Sequence, residues 1–321
     1  MKTFRLMTYN VHRCVGTDRK LDVERVAEVI AAERPDVVAL QELDVGRART
    51  QSVDQAHRLA ELLKMSFHFH PAMAVEEELY GDAILTALPE RRIKAQGLPL
   101  YRQVPGLEPR GALWIEVEVG DAKVQIINTH LGLVPQEQKR QAAALLGPDW
   151  MGDDAWTAPG VVLGDFNATP YSATYRMLRT ALRDAQAPSP AWLRPATATF
   201  PSSFPFMRID HVFLTKGLET RAVKSPYDAR ARLASDHLPL VVELEVKPPR
   251  RAAMHVQRVD RRRQTALARH RRQHVLRRAV EEVTDQTAQE PSDRLALKIV
   301  ARLERQVTLA VQTDRAVVQI G

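Results

Sequence analysis

Asp36-Val37-Val38-Ala39-Leu40-Gln41-Glu42 is the stretch that decides the fold class of this chain. Four apolar residues run without interruption and then stop at two long polar side chains. An uninterrupted apolar run reads as a short strand buried on both faces, because each face of the pleat must meet apolar cover. Just before it, Val23, Val26, Ala27 and Ile30 fall on one helical face behind an acidic first turn. A helix feeding a strand that is covered on both sides is the unit of a layered α/β domain.

The same alternation of periods extends outward along the chain. Phe4, Leu6 and Tyr9 alternate with polar residues as an N-terminal strand does, and that strand ends at Thr8-Tyr9-Asn10. Ser52 and Gln55 have capping-box spacing for a helix carrying Leu59, Leu62 and Leu63. Strand-like runs follow at about 82–88, 111–119 and 123–130. The next helix is expected from Pro135 to Gly147, with proline in the first turn and glycine past the last. Val161 to Leu163 and residues 209–214 read as further short strands, and a last strand is expected over about 238–246. Pro248-Pro249 cannot continue a sheet ladder, so a boundary is placed there. The division predicted is a catalytic domain over 1–246 and an arginine-rich extension, helical or partly disordered, over 247–321.

Polar clusters recur at the ends of these runs: Asn10, Gln41-Glu42, Asn128-Thr129-His130, Gly164-Asp165-Phe166-Asn167, Ile209-Asp210-His211 and Ser235-Asp236-His237. Strands ending at one rim of a sheet bring such groups into one pocket. Phosphate ester hydrolysis needs a divalent cation, donors to the nonbridging oxygens, a base for water and help for the leaving oxygen. Glu42 is the best cation ligand, with Asp236 and the amide oxygen of Asn10 completing a set that suits a hard ion retaining several waters. His237 is the candidate base, with Asp210 to hold its tautomer and stabilise the imidazolium. Asp165 and Asn167, two apart in an extended segment, point the same way, one to relay a proton and the other to donate to phosphate. His130 adds a further donor. Singly, each has a plainer explanation as a turn former or a strand-end hydrogen-bonding group. Their joint order and spacing carry the reading.

These residues resemble the signature of the endonuclease/exonuclease/phosphatase superfamily, and the resemblance covers residues 1 to about 246. It implies a four-layer sandwich of two packed mixed β-sheets flanked by helices, with a Mg²⁺- or Mn²⁺-dependent site at one end of the sheets. It also implies that Glu42 binds metal with help from Asn10 and Asp236, that His237 with Asp210 activates water, and that His130, Asp165 and Asn167 handle the phosphate and the leaving group. The superfamily includes deoxyribonucleases, apurinic endonucleases, neutral sphingomyelinases, inositol polyphosphate 5-phosphatases and poly(A) deadenylases. The histidine at position 130 is similar to the deoxyribonuclease, sphingomyelinase and inositol phosphatase branches more than to the apurinic endonucleases. Gly81-Asp82-Ala83 departs from the Gly-Asn-Ala of related members, and Asp82 is read either as a carboxylate near the phosphate or as an exposed loop residue. Arg110 is read as a partner for substrate phosphate or as a solvated arginine at a strand start.

Composition limits the substrate class. The net charge is +7 over 321 residues, yet residues 1–246 hold 29 Lys and Arg against 31 Asp and Glu. Residues 247–278 hold 12 basic residues against Asp260 alone, and 279–321 hold 5 against 7. Any positive footprint for nucleic acid or an anionic membrane surface therefore comes from the extension. No Phe, Trp or Tyr follows Tyr227, which leaves nothing there to stack on bases or anchor in lipid. Cys14 is the only cysteine, so an internal disulfide and a cysteine metal site are excluded and a reducing, cytoplasmic setting is expected. No apolar run reaches the roughly 18 residues of a transmembrane segment. The leading expectation is a nuclease-like phosphodiesterase. A phospholipid or sphingomyelin-type phosphodiesterase or a phosphomonoesterase is second, and an inactive binding module using the basic extension is third.

Overall fold

Strand β1 (Lys2–Asn10) pairs in parallel with β2 (Val37–Val45) and antiparallel with β12 (Leu240–Val246), because α1 (Val23–Glu33) carries the chain across between the first two. The structure is a computed structural model and describes residues 2–187 and 197–247. β4 (Glu78–Thr86), β3 (Ser66–Val75) and β11 (Leu218–Lys224) extend this sheet to the order β11-β12-β1-β2-β4-β3. The second sheet is built the same way. β7 (Ala122–His130), α3 (Pro135–Leu145) and β8 (Gly160–Asp165) form its parallel crossover. β5 (Glu90–Gly97), β6 (Gly111–Val119), β9 (Arg183–Asp184) and β10 (Asp210–Leu214) complete the order β5-β6-β7-β8-β10-β9.

Three apolar layers show how the sheets are stacked. Phe4, Leu6, Val37 and Ala39 from the first sheet meet Ile115, Ile126, Val161 and Leu163 from the second. The alternate residues of the same strands, Met7, Tyr9, Val38 and Leu40, pack outward on Val26 and Ile30 of α1 and on Leu59 of α2 (Gln55–Leu63). Trp114, Ile127 and Val162 pack outward on Ala142 and Leu145 of α3 and on Leu178 of α4 (Ala173–Ala181). The order is helix, sheet, sheet, helix, as expected for the four-layer sandwich. This is why the central strands read as continuous apolar runs. Leu6 is fully buried between the sheets, so Leu6→Ala is expected to lower stability by about 2–5 kcal/mol, read as a fall in the urea midpoint at unchanged slope.

Helix caps differ from the expected pattern in one place. Asp54, not Ser52, caps α2, its side chain accepting from the His57 backbone N–H at 2.9 Å. Gln55 does not reach back to a cap. Its Oε1 accepts from Asp44 N at 2.9 Å and its Nε2 donates to Arg13 O at 2.7 Å. Asp22 and Ser172 cap α1 and α4, and Asp228 caps α5 (Ala229–Ala234). α3 begins at Pro135 as expected and ends at Leu145, two residues before Gly147. The expected arginine-rich extension, helical or partly disordered, lies outside the described residues beyond Lys247.

Register places the polar clusters. Asn10 pairs with Gln41 across the first sheet, while His130 and Asp210 both pair with Asp165 across the second. Each parallel crossover thus delivers its strand ends to the same rim of its own sheet.

Candidate active site

Glu42 projects where β2 leaves its ladder. Pairing with β4 slips between Leu40 and Leu43, and Glu42 takes a φ of 61°. A bulge with one left-handed residue re-aims a side chain, and a non-glycine residue keeps that backbone only where its neighbours over-determine it. One neighbour is Asn10, whose Nδ2 donates to Glu42 Oε1 at 2.9 Å. Another is Asp82, whose carboxyl takes a hydrogen bond from the Glu42 backbone. Burial pushes Asp82 up to about 8, against the opposing pull of Arg110 and of that backbone N–H. Asp82 is buried and does not line the pocket. The expectation of a substrate-contacting or exposed Asp82 is therefore corrected: it props the Glu42 bulge.

Asn10 sits between the two sheets' acids. Its Oδ1 accepts the His12 backbone N–H at 3.0 Å, and its Nδ2 reaches Asp165 Oδ2 at 3.1 Å as well as Glu42. A backbone donor on one end and two carboxylates on the other settle which end of the amide is oxygen. Nitrogen faces the acids, so in this arrangement Asn10 links Glu42 to Asp165. Behind it, Gln41 Nε2 donates to Asn128 Oδ1 at 2.7 Å, and Asn128 Nδ2 donates to Leu40 O and Ala83 O at 2.9 and 2.8 Å. These fully buried amides tie the two sheets together.

On the second sheet, Arg110 Nη1 lies 3.0 Å from His130 Nδ1. A guanidinium can only donate, so Nδ1 accepts and Nε2 carries the hydrogen. That Nε2 lies 3.5 Å from Asp165 Oδ2, which can accept its hydrogen, and 3.0 Å from Asn167 Nδ2, which is itself a donor and so makes no hydrogen bond with it in this tautomer. Burial, with Arg110 and His237 close by, holds the ring well below the ordinary histidine range, so His130 is a neutral donor. Asn167, at φ 48°, donates its backbone N–H to Asp165 Oδ1 at 2.9 Å and its amide to Leu131 O at 3.0 Å.

His237 stands between two carboxylates. Its Nδ1 lies 2.9 Å from Asp210 Oδ2, and its Nε2 lies 3.7 Å from Asp165 Oδ2. Thr199 Oγ1 also donates to Asp210 Oδ2, and the Phe200 ring packs on the imidazole at 4.9 Å. Burial works to strip the proton from His237, but Asp210 and then Asp165 outweigh it and push the ring up to about 10. Burial and Asp210 push Asp165 up to about 7, opposed by His237 and by the Asn167 and Asn10 donors. Asp165, Asp210 and His237 offer atoms within 4.8 Å of one another. The close Asp210–His237 contact is a hydrogen bond that uses Nδ1 and leaves Nε2 facing Asp165.

Glu42, Arg110, His130, Asp165, Asn167, Asp236 and His237 line one cavity of about 490 Å³. Asn10 and Asp210 stand behind it, bonded to its lining. Asp236 has a side chain 39% exposed, with Oδ1 accepting from Ser235 Oγ at 3.3 Å. Sequence reasoning missed the opposite wall, formed by His12, Arg13, Arg47, Arg49 and Tyr80. The one signal was position: Arg13 lies just beyond the Asn10 cluster, and Arg47 and Arg49 just beyond Glu42. For a divalent cation, Glu42 and Asp236 present carboxylate oxygens on the lining, as does Glu108, whose other oxygen meets Arg110 Nη2 at 3.3 Å. One or two carboxylates with water fit a hard ion such as Mg²⁺.

A sequence model of the Endonuclease/Exonuclease/phosphatase family matches residues 7–237, and the chain belongs to that family. Among solved structures it is similar to the endonuclease/exonuclease/phosphatase from Beutenbergia cavernae, at 27% identity over 77% of this chain and 72% of that one, with a TM-score of 0.59. It is also similar to the human nocturnin catalytic domain with bound sulfate anion, at 19% identity over 77% and 94% of the two chains and a TM-score of 0.59. The Bacteroides thetaiotaomicron mannosyl-6-phosphatase is 16% identical over 75% and 99%, with a TM-score of 0.60. The latter two likenesses show the fold alone. Comparison with curated proteins returns no match.

Proposed function

We propose that the chain hydrolyses phosphodiester bonds with the help of a divalent cation, Mg²⁺ or Mn²⁺. The observation that carries this reading is that Glu42, His130, Asp165, Asn167 and His237, drawn from both sheets, line one cavity. A cation bound by Glu42 and Asp236 would neutralise charge on the phosphoryl group and make attacking water more acidic. The chain's own residues do the rest. His130 donates its Nε2 hydrogen to a nonbridging oxygen, and Asn167 orients the same phosphoryl group. Asp210 fixes the His237 ring through Nδ1, so proton exchange occurs at Nε2, which faces Asp165. The charged His237 passes its Nε2 proton to Asp165, which delivers it to the leaving oxygen, and the neutral ring so formed takes the proton of the attacking water.

The test is hydrolysis of bis-p-nitrophenyl phosphate by the full chain. Activity is expected with Mg²⁺ or Mn²⁺, loss with excess EDTA, and recovery when the cation is restored. Full activity after exhaustive chelation would overturn the reading.

One observation favours a second substrate class for the same chemistry. Leu133, Tyr171, Phe204 and Phe206 are exposed at 70, 88, 74 and 67%. They lie on the loops after β7, after β8 and before β10, at the end of the second sheet that carries the site. Exposed apolar side chains on these loops, with Leu133 among the cavity lining, suit an amphiphilic ester such as a phospholipid headgroup more than a bare polyanion. A panel of plasmid DNA, RNA and phospholipid vesicles separates the two: headgroup release with plasmid untouched at low salt would replace the nuclease-like reading.

A further inference from the structure

We propose that Arg13, backed by Arg49, is a subsite for a second phosphate on the substrate, next to the one that is cleaved. This rests on the phosphodiesterase reading of the pocket. Four arginines line the cavity, and three are already matched by acids. Arg47 Nε lies 3.4 Å from Glu78, Arg49 Nη2 lies 2.7 Å from Asp44, and Arg110 Nη2 lies 3.3 Å from Glu108. Arg13 has no carboxylate within ion-pair distance among the described residues, and its Nε is buried without a hydrogen-bond partner. Its Nη2 donates to His12 Nε2, and an imidazole acceptor brings no negative charge to the guanidinium. A half-buried guanidinium with no counter-charge, on the wall of a phosphate pocket, calls for an anion.

The backbone around Arg13 is built to hold it there. His12, Arg13 and Cys14 carry φ values of 44°, 58° and 55°. Three successive non-glycine residues in the left-handed region are costly and persist only where other contacts force them. Those contacts are the His12 N–H on Asn10 Oδ1 and the Gln55 Nε2 donation to Arg13 O. Gln55 also accepts from Asp44 N, and Asp44 holds Arg49 through two bonds of 2.7 Å. One fully buried glutamine therefore positions both arginines. The donors proposed for the cleaved phosphoryl group, His130 and Asn167, belong to the second sheet. Arg13 and Arg49 belong to loops of the first, beyond Glu42. The anion they suit is accordingly a neighbouring one.

The experiment compares thymidine 3′-(p-nitrophenyl phosphate) with its 5′-phosphorylated form, using the full chain and Mg²⁺. The second phosphate is expected to raise kcat/KM by about tenfold or more, mostly through KM, as a charge-assisted contact does. In Arg13→Met the ratio between the two substrates is expected to fall toward one, and in Arg13→Lys to recover in part. Gln55→Leu serves as a second variant with the arginines intact, and it should lower the same ratio by loosening their support. Equal kcat/KM for both esters in the wild type, or a preference that survives in Arg13→Met, overturns the subsite. Failure to cleave either ester or bis-p-nitrophenyl phosphate overturns the phosphodiesterase reading instead. A further arm esterifies the 5′-phosphate to another thymidine. A preference retained there identifies an internal strand phosphate, and one lost there identifies a terminal phosphate.

Discussion

His237→Ala is expected to lower kcat on bis-p-nitrophenyl phosphate by a factor of about 10²–10⁴ while the protein stays folded. The ring is the one titratable group that meets Asp210 through Nδ1 at 2.9 Å and turns Nε2 toward Asp165 at 3.7 Å. Removing it leaves no group at that position to take the proton of attacking water. Glu42→Gln is the companion variant, with a comparable loss and a response to added Mg²⁺ shifted to higher concentration. Steady-state rates across a Mg²⁺ series check both. Wild-type turnover in either variant would dismiss the assignment.

The second large effect concerns stability. Asp210 is fully buried and shares its Oδ2 between Thr199 and His237. Asp210→Asn removes the largest force raising the His237 pKa and leaves a buried imidazolium short of its counter-charge, a change that costs about 3–5 kcal/mol in comparable buried pairs. The sign of the pH dependence follows from the raised value. His237 at about 10 lies above its unfolded value near 6.5, so the pairing contributes fully below about pH 6.5 and is lost as pH rises toward 10. Urea unfolding of wild type and variant is expected to show the widest gap at pH 6 and a narrowing gap by pH 9.5. A gap that widened with pH would mean that His237 is buried neutral.

How much of this was legible in the sequence depended on what each side chain does. Glu42, His130, Asp165 and His237 could be read because each ends an apolar run, and an apolar run marks its own end. Asn10 was recognised as a site residue, but which end of its amide meets the acids is decided by the His12 N–H, a contact that spacing does not encode. Asp82 was read as a carboxylate near the phosphate or on an exposed loop, because its burial depends on the bulge at Glu42. Ser52 and Gln55 had capping-box spacing, yet Asp54 lay nearer the helix start and Gln55 was needed for Asp44 and Arg13. The half-exposed strands β3, β5 and β11 lack clean alternation and so carried little periodic signal. Arg13 and Arg49 went unnoticed because an arginine after a strand is most often a solvated one, and only the partners around it reveal which arginine lacks an anion.

The bond between Gln41 and Asn128 has a consequence for how such a molecule can diversify. It fixes the spacing between the first sheet's share of the pocket, with Glu42 and His237, and the second sheet's, with His130 and Asp165, from within the interior, where surface insertions do not reach. Rim segments such as those bearing Tyr171 and Phe204 can lengthen, shorten or change polarity while that spacing stays constant. Under the proposed function, those segments would alter what reaches the pocket while the buried groups that do the chemistry keep their places.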